Sequence, residues 1–305
     1  MKVLIVGAGA LGGYFGALLQ QNGVDVTFMV RAETFEIIRT KGLIVESVNG
    51  NMIVHPKLIL ASDLNSPFDL IILTVKCYDL EEVFKEIEPA VSSQTWILTL
   101  QNGIDTEDRA ASHFGKGHII GGVAFITAKL IEKGRIGHYK RGVITIGELN
   151  GEISGRLSKI HKLLTDANIT AYMTGDIMKK KWEKLCWNAT FNPLSVILNG
   201  PVSDILKSPG ALSVIRQVIQ EIICVGKENG IILKDSIIDD TIQNSFELKE
   251  FYTSMYEDWK IGKLTENRYL SGMVYQKSLT GNIQTPMSFI LYQAVETITH
   301  IGQSL

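Results

Sequence analysis

The opening stretch MKVLIVGAGALGGYFGALL constrains the fold more than any other part of the chain. An apolar run from Val3 to Val6 reaches Gly7, and Gly9 and Gly12 follow at GxGxxG spacing before a helical segment that closes near Asn22 and Gly23. Each glycine has a physical reason. Gly7 permits a tight turn, Gly9 lets backbone amides approach a pyrophosphate, and Gly12 lets helix and strand pack closely. The helix N-terminus then presents N–H groups and the positive end of its dipole to the phosphates. The spacing alone is a weak signal. A strand before it and a helix behind it make Gly7, Ala8, Gly9, Ala10, Leu11 and Gly12 a candidate dinucleotide loop rather than an ordinary glycine-rich turn.

The same alternation continues. Val3 to Val6, Asp25 to Val30, Leu70 to Val75 and Thr95 to Leu100 are short β-branched runs, with helical stretches such as Gly12 to Asn22 and Leu80 to Val91 between them. Strands alternating with helices predict a parallel sheet covered by helices, which is a Rossmann domain of the α/β class. Closely spaced candidates at His118 to Ile126, Gly134 to Tyr139 and Val143 to Gly147 suggest an antiparallel extension of that sheet, and a helix is expected from Ile153 to Asp166. From about Asp176 onward the periods are long and helical. The predicted organisation is an N-terminal domain of residues 1–174 and an all-α C-terminal domain of residues 175–305, with no internal repeat.

Composition narrows the function classes. A chain of 305 residues with 45% hydrophobic content can bury two cores, and a net charge of −2 with scattered Lys and Arg offers no stripe for nucleic acid or an anionic membrane. No uncharged apolar run approaches the roughly 20 residues of a membrane span. The first residues already read as a strand, without a signal-peptide core ahead of them, so a cytoplasmic protein is expected. Cys77, Cys186 and Cys224 lack CxxC spacing and the six histidines lack ligand spacing, so no metal site is predicted, and each cysteine reads as a small buried hydrophobe.

Several polar residues sit where ligands collect. Arg31 ends the second strand, where an NAD-specific domain places an acidic residue for the ribose 2′-hydroxyl; a planar cation there favours the 2′-phosphate of NADP. Nearby Glu33 leaves an NAD preference open, and an ordinary solvated charge is the bland alternative for Arg31. Lys76 and Asn102 follow the runs LIILTV and WILTLQ, at the carboxyl ends of strands. In KKKWEKLCWNATFNPLSVILNG, Lys184, Asn188 and Asn192 fall at i, i+4 and i+8, on one face of a helix otherwise rich in Trp, Leu and Phe. A lysine in a partly apolar cleft can donate a proton, and asparagines can hold hydroxyl or carbonyl groups. On the residues alone, Lys184 could equally snorkel to water and the asparagines cap or kink the helix at Pro193. The run Lys179 to Lys181 reads as a solvated first turn, and Trp182 and Trp187 as packing between helices.

The blocks GAGALG, VKCYD, LQNGID, KWEKLCWNATFNPLS and TSMYEDWKIGKLTE, in this order, resemble the ketopantoate reductase family along nearly the whole chain. The resemblance implies NADPH-dependent reduction of 2-dehydropantoate to pantoate across a cleft where cofactor and helical domain meet. It implies Lys184 as the general acid, Asn188, Asn192 and Ser254 as substrate ligands, and Glu266 as the carboxylate that positions Lys184 and the substrate hydroxyl. Lys76 and Asn102 would face the nicotinamide side of the cofactor. Taken alone, Ser254 and Glu266 would be read as exposed helix surface.

The chain also departs from the family pattern. Asn267 and Arg268 stand after Glu266 where an apolar residue and an aspartate are common, and Val202 replaces a substrate-binding asparagine, with Asn199 the nearest substitute. These changes bear on the substrate more than on the reaction. The alternatives are a relative acting on another 2-keto acid, and a non-catalytic NADP sensor, for which Lys184 and Glu266 would have no use. The apolar face from Ala211 to Val225 suits a homodimer contact or an internal core equally.

Overall fold

The computed structural model describes residues 1–248 and 250–303. They fall into two compact units, one of residues 1–101 and 105–177, the other of residues 102–104 and the chain from Met178 onward.

In the first unit the elements run β1 (Lys2–Val6), α1 (Ala10–Gln21), β2 (Asp25–Met29), α2 (Ala32–Lys41), β3 (Leu43–Ser47), β4 (Met52–Val54) and β5 (Lys57–Ile59). Then come β6 (Leu70–Leu73), α3 (Leu80–Ile87), β7 (Trp96–Thr99), α4 (Thr106–Phe114), β8 (Ile119–Glu132), β9 (Arg135–Glu148), α5 (Gly155–Asp166) and β10 (Thr170–Met173). They form one mixed sheet in the order β4-β3-β9-β8-β7-β6-β1-β2-β5, with β10 added to β9. The central strands are apolar throughout because both faces are covered. Ile5, Leu70, Ile72 and Leu98 point into one core with Tyr14, Phe15 and Leu19 of α1, while Leu4, Val6, Ile71 and Leu73 point into another with Val83, Phe84 and Ile87 of α3.

The sheet differs from the sequence expectation at its outer part. The two segments expected around Gly134 to Gly147 are a single fourteen-residue strand, β9. Gly142 and Arg141, which read as a break, have positive φ and sit where the β8–β9 register shifts, so they form a bulge inside a continuous strand. Only the β8–β9 and β3–β4 pairs are antiparallel; β3 and β10 join β9 in parallel, β3 along Arg135–His138 and β10 along Val143–Ile146. Strands β3, β4, β5 and β10 were absent from the expectation.

The second unit is helical: α6 (Ile177–Ile197), α7 (Val202–Lys207), α8 (Pro209–Glu228), α9 (Ile237–Ser245), α10 (Ser254–Lys260), α11 (Ser271–Thr280) and α12 (Pro286–Gln303). One core holds Trp182, Leu185 and Cys186 of α6 together with Ile215, Val218, Ile219, Ile222 and Val225 of α8 and Val295 of α12. The apolar face of Ala211 to Val225 is thus consumed inside the unit. Lys181 is 3% exposed and so is not part of a solvated turn, since it lies one turn ahead of Leu185 on the inward side of α6. Cys224 departs from expectation in the other direction, being exposed, whereas Cys77 and Cys186 are buried. Burial and the nearby Glu183 charge push the Cys186 thiol up to about 12, which leaves it inert as a nucleophile. No helix among the described residues is long and apolar enough to cross a membrane.

Candidate active site

The glycine loop is built as its spacing demands. Gly7 has φ +98°, a conformation that favours glycine, and its N–H donates to Met29 O at 3.0 Å, tying the loop to the end of β2. A Cβ on Gly12 would lie 2.2 Å from both Gly7 O and Thr74 Oγ1, so no side chain fits there. Thr74 is the unforeseen partner: its hydroxyl donates to Val6 O at 2.8 Å and fills the space beneath the loop. Above Gly9 the situation reverses, because a Cβ there would meet nothing within 4 Å. Helix α1 starts beside that opening with no acidic residue in its first turn and no side-chain cap. An open backbone face and uncapped N–H groups are what a pyrophosphate requires, so the loop fits the phosphates of a dinucleotide.

Arg31 is the N-cap residue of α2, just beyond β2, with its side chain 82% exposed and its Nη2 3.3 Å from Asp79 Oδ1. Asp79 ends the 3-10 turn Cys77–Asp79, of which Lys76 is the N-cap residue. Glu33, the residue that kept an NAD preference open, is ion-paired with Lys133 from the β8–β9 turn. Its carboxylate therefore has a cation partner of its own, and Arg31 is the charge at the strand end.

In the second unit, Lys184 Nζ donates to Asn102 Oδ1 at 2.7 Å, joining the residues of LQNGID and KWEKLCWN that the sequence set apart by 82 positions. Asn188 and Asn192 are 5% and 2% exposed, and Asn188 Nδ2 and Asn192 Oδ1 are buried without a hydrogen-bond partner among the described residues. Buried polar atoms are nearly always paired, so two orphaned amide atoms on the face that bears Lys184 mark a place for a polar ligand. Ser254 is the exposed first residue of α10, a helix capped by the Thr253 hydroxyl, which accepts from Tyr256 N at 3.1 Å. Glu266 is only 6% exposed, contrary to its reading as surface.

Two departures acquire a structural account. Asn267 is fully buried and donates through Nδ2 to Tyr292 O at 3.0 Å and Glu296 Oε1 at 2.7 Å, so it ties the turn after Glu266 to α12 instead of reshaping a substrate pocket. Arg268 is exposed. Val202 is buried at the start of α7, and Asn199, at φ +47°, accepts a hydrogen bond from the Tyr256 hydroxyl at 3.0 Å. Trp187 also has a partner, donating through Nε1 to Ser245 Oγ at 3.0 Å. His138 is stacked on Tyr14 with centroids 4.1 Å apart and bonds Ser47 Oγ and Arg141 O through its two ring nitrogens, which makes it a structural residue of the sheet.

Two family models match almost the entire chain: "Ketopantoate reductase PanE/ApbA" over residues 3–151 and "Ketopantoate reductase PanE/ApbA C terminal" over residues 176–299. The chain belongs to the ketopantoate reductase family. It is an oxidoreductase of that family, and the mixed sheet with a helical C-terminal unit is the family's fold. A curated 2-dehydropantoate 2-reductase of Pyrococcus horikoshii is 31% identical over 305 residues, covering 99% of each chain. The crystal structure of 2-dehydropantoate 2-reductase from Geobacter metallireducens GS-15 matches with a TM-score of 0.93 at 33% identity, over 98% of this chain and 100% of that one. A D-mandelate dehydrogenase solved with NADH and anilino(oxo)acetate matches with a TM-score of 0.92 at 26% identity, over 98% of this chain and 99% of that one.

Proposed function

We propose that the chain reduces 2-dehydropantoate to pantoate with NADPH, and that Lys184 is the proton donor. The observation that carries this reading is the Lys184 ammonium held by the Asn102 amide at 2.7 Å, on a helix face where Asn188 and Asn192 keep buried polar atoms unpaired. The nicotinamide supplies the hydride when bound. Arrival of a hydride at a keto carbon puts negative charge on its oxygen, and an ammonium beside that oxygen both stabilises the charge and provides the proton. Asn102 is a neutral acceptor, so it orients Nζ while leaving the proton on it. Asn188 can donate to a substrate oxygen and Asn192 can accept from a substrate hydroxyl, which suits an acid bearing both groups. Ser254 and Glu266 take their roles from the family resemblance, Ser254 as a substrate ligand and Glu266 as the carboxylate that keeps Lys184 charged.

For the cofactor, the open Gly9 face and the uncapped start of α1 receive the pyrophosphate. Arg31 exchanges Asp79 for the 2′-phosphate, and its exposure leaves it able to do so. Lys76 and Asn102 serve the nicotinamide half. A second reading keeps the mechanism and changes the acid: the buried Val202 offers no amide to the substrate, and the likeness to a D-mandelate dehydrogenase favours a different 2-keto acid.

The test is oxidation of NADPH followed by absorbance with 2-dehydropantoate, beside NADH and a panel of other 2-keto acids. Turnover selective for 2-dehydropantoate and NADPH is expected. Turnover confined to another acid replaces the substrate, and tight NADPH binding without turnover on any acid removes the catalytic reading in favour of a sensor.

A further inference from the structure

Gln101 lies two residues beyond β7 and directly before Asn102. It is 6% exposed, and both Nε2 and Oε1 are buried with no hydrogen-bond partner among the described residues. One buried polar atom left unpaired is costly; a donor and an acceptor orphaned together on one side chain require an explanation. The backbone around it is held in place, since Leu100 N donates to Leu73 O at 3.1 Å. The orphaned amide therefore sits at the carboxyl end of a strand anchored in the middle of the sheet.

Sheet order indicates what reaches that end. β7 is two strands from β1, on the side away from β2, a separation of about 10 Å at ordinary strand spacing. A dinucleotide crosses the carboxyl edge with its pyrophosphate at the loop after β1 and its adenosine ribose beside the residue that follows β2, here Arg31. Its other half then extends toward β6 and β7. A primary amide offering one donor and one acceptor side by side is complementary to another primary amide.

We propose that Gln101 pairs with the carboxamide of the nicotinamide ring and fixes the rotation of that ring. The assignment rests on the cofactor reading above and adds a residue that neither the glycine motif nor the family blocks single out. It also predicts a trade: without cofactor, the protein carries an unsatisfied amide that an apolar side chain of similar volume would remove.

The experiment is isothermal titration of the wild type and Gln101→Met with NADP+, its 3-acetylpyridine analogue, in which a methyl replaces the amide nitrogen, and 2′-phospho-ADP-ribose, which lacks the ring. Wild type should prefer NADP+ over the analogue by about tenfold, the scale of one or two neutral hydrogen bonds. In Gln101→Met the preference should collapse to within about twofold, with 2′-phospho-ADP-ribose binding both proteins alike. The variant without cofactor should melt at the same temperature as wild type or higher. A preference that persists in the variant overturns the assignment, as does equal weakening of 2′-phospho-ADP-ribose. Should Gln101→Met fail to fold, equal affinity of wild type for NADP+ and the analogue does the same. If none of the three binds wild type, the cofactor reading itself falls, and this assignment with it.

Discussion

Replacing Lys184 by alanine removes the ammonium that Asn102 accepts from, while Leu185 and Cys186 keep α6 in its core. Turnover of the 2-keto acid is expected to fall by about 10²–10⁴-fold with NADPH affinity unchanged, as measured by single-turnover kinetics and titration. Near-wild-type chemistry in that variant would remove Lys184 as the proton donor. Arg31→Ala should weaken NADPH by about tenfold or more and leave NADH nearly unaffected, because only the 2′-phosphate is lost as a partner; equal losses for both cofactors would undo the assignment. Lys184, Asn188 and Asn192 were legible in the sequence because helical spacing puts them in a row. Thr74, Gln101 and Lys181 were not. Thr74 matters for its contact with Gly12, Gln101 for the absence of a partner, and Lys181 for the side of α6 it faces. Each of those is settled by neighbours far away in the chain. Asn267 was legible as a departure, but the direction of its side chain, toward Glu296, was not.

Among the elements, α12 is held at its start by one side chain of another helix. Glu221 of α8 accepts from Met287 N at 2.9 Å, Ser288 N at 2.8 Å and Ser288 Oγ at 2.6 Å, so a single carboxylate satisfies two end amides and complements the helix dipole. Glu221→Ala should destabilise the protein by about 1–3 kcal/mol in denaturant melts, the range for a lost cap with buried donors left unpaired. A change below a few tenths would show that water replaces the carboxylate. Helix α5 is fastened to β9 in a pH-dependent manner. Burial pushes the Glu148 carboxyl up, but hydrogen bonds from Arg156 and Ser154 outweigh it and hold the group below the usual carboxylate range. A carboxylate depressed in the folded state contributes stability above its unfolded value and loses it as the pH falls through the folded one. Glu148→Gln should therefore be less stable than wild type at neutral pH, and the difference should shrink on acidification to about pH 3. A constant difference across that range would show that the charge is not what matters. The elements themselves were unevenly legible. β1, β6 and β7 announce themselves as unbroken apolar runs because helices cover both of their faces. β4 and β5 have three residues each, and β10 reads exposed, buried, exposed, exposed, so they are held by pairing with neighbours more than by their own apolar pattern.

At the scale of the whole molecule, β9 is the strand on which the outer sheet converges, since β3, β8 and β10 all pair with it. Its pairing with β8 slips at Phe125/Ile126, where Val143 gives way to Arg141, and at Thr127/Ala128, where Lys140 gives way to His138. Gly142 and Tyr139 are therefore two extra residues on one side of the ladder. Side chains alternate between faces along a strand, so each extra residue exchanges inside for outside and the second exchanges them back. Ile136 and His138 before the slips and Ile144 and Ile146 after them are all buried. The strand thus behaves like a message with a parity check: one deletion corrupts everything downstream, and two restore the sense. Deleting Gly142 alone should abolish cooperative thermal unfolding, whereas deleting Tyr139 and Gly142 together should recover it. The same count limits how such a sheet can change by descent, since residues can enter or leave this stretch of β9 only in even numbers.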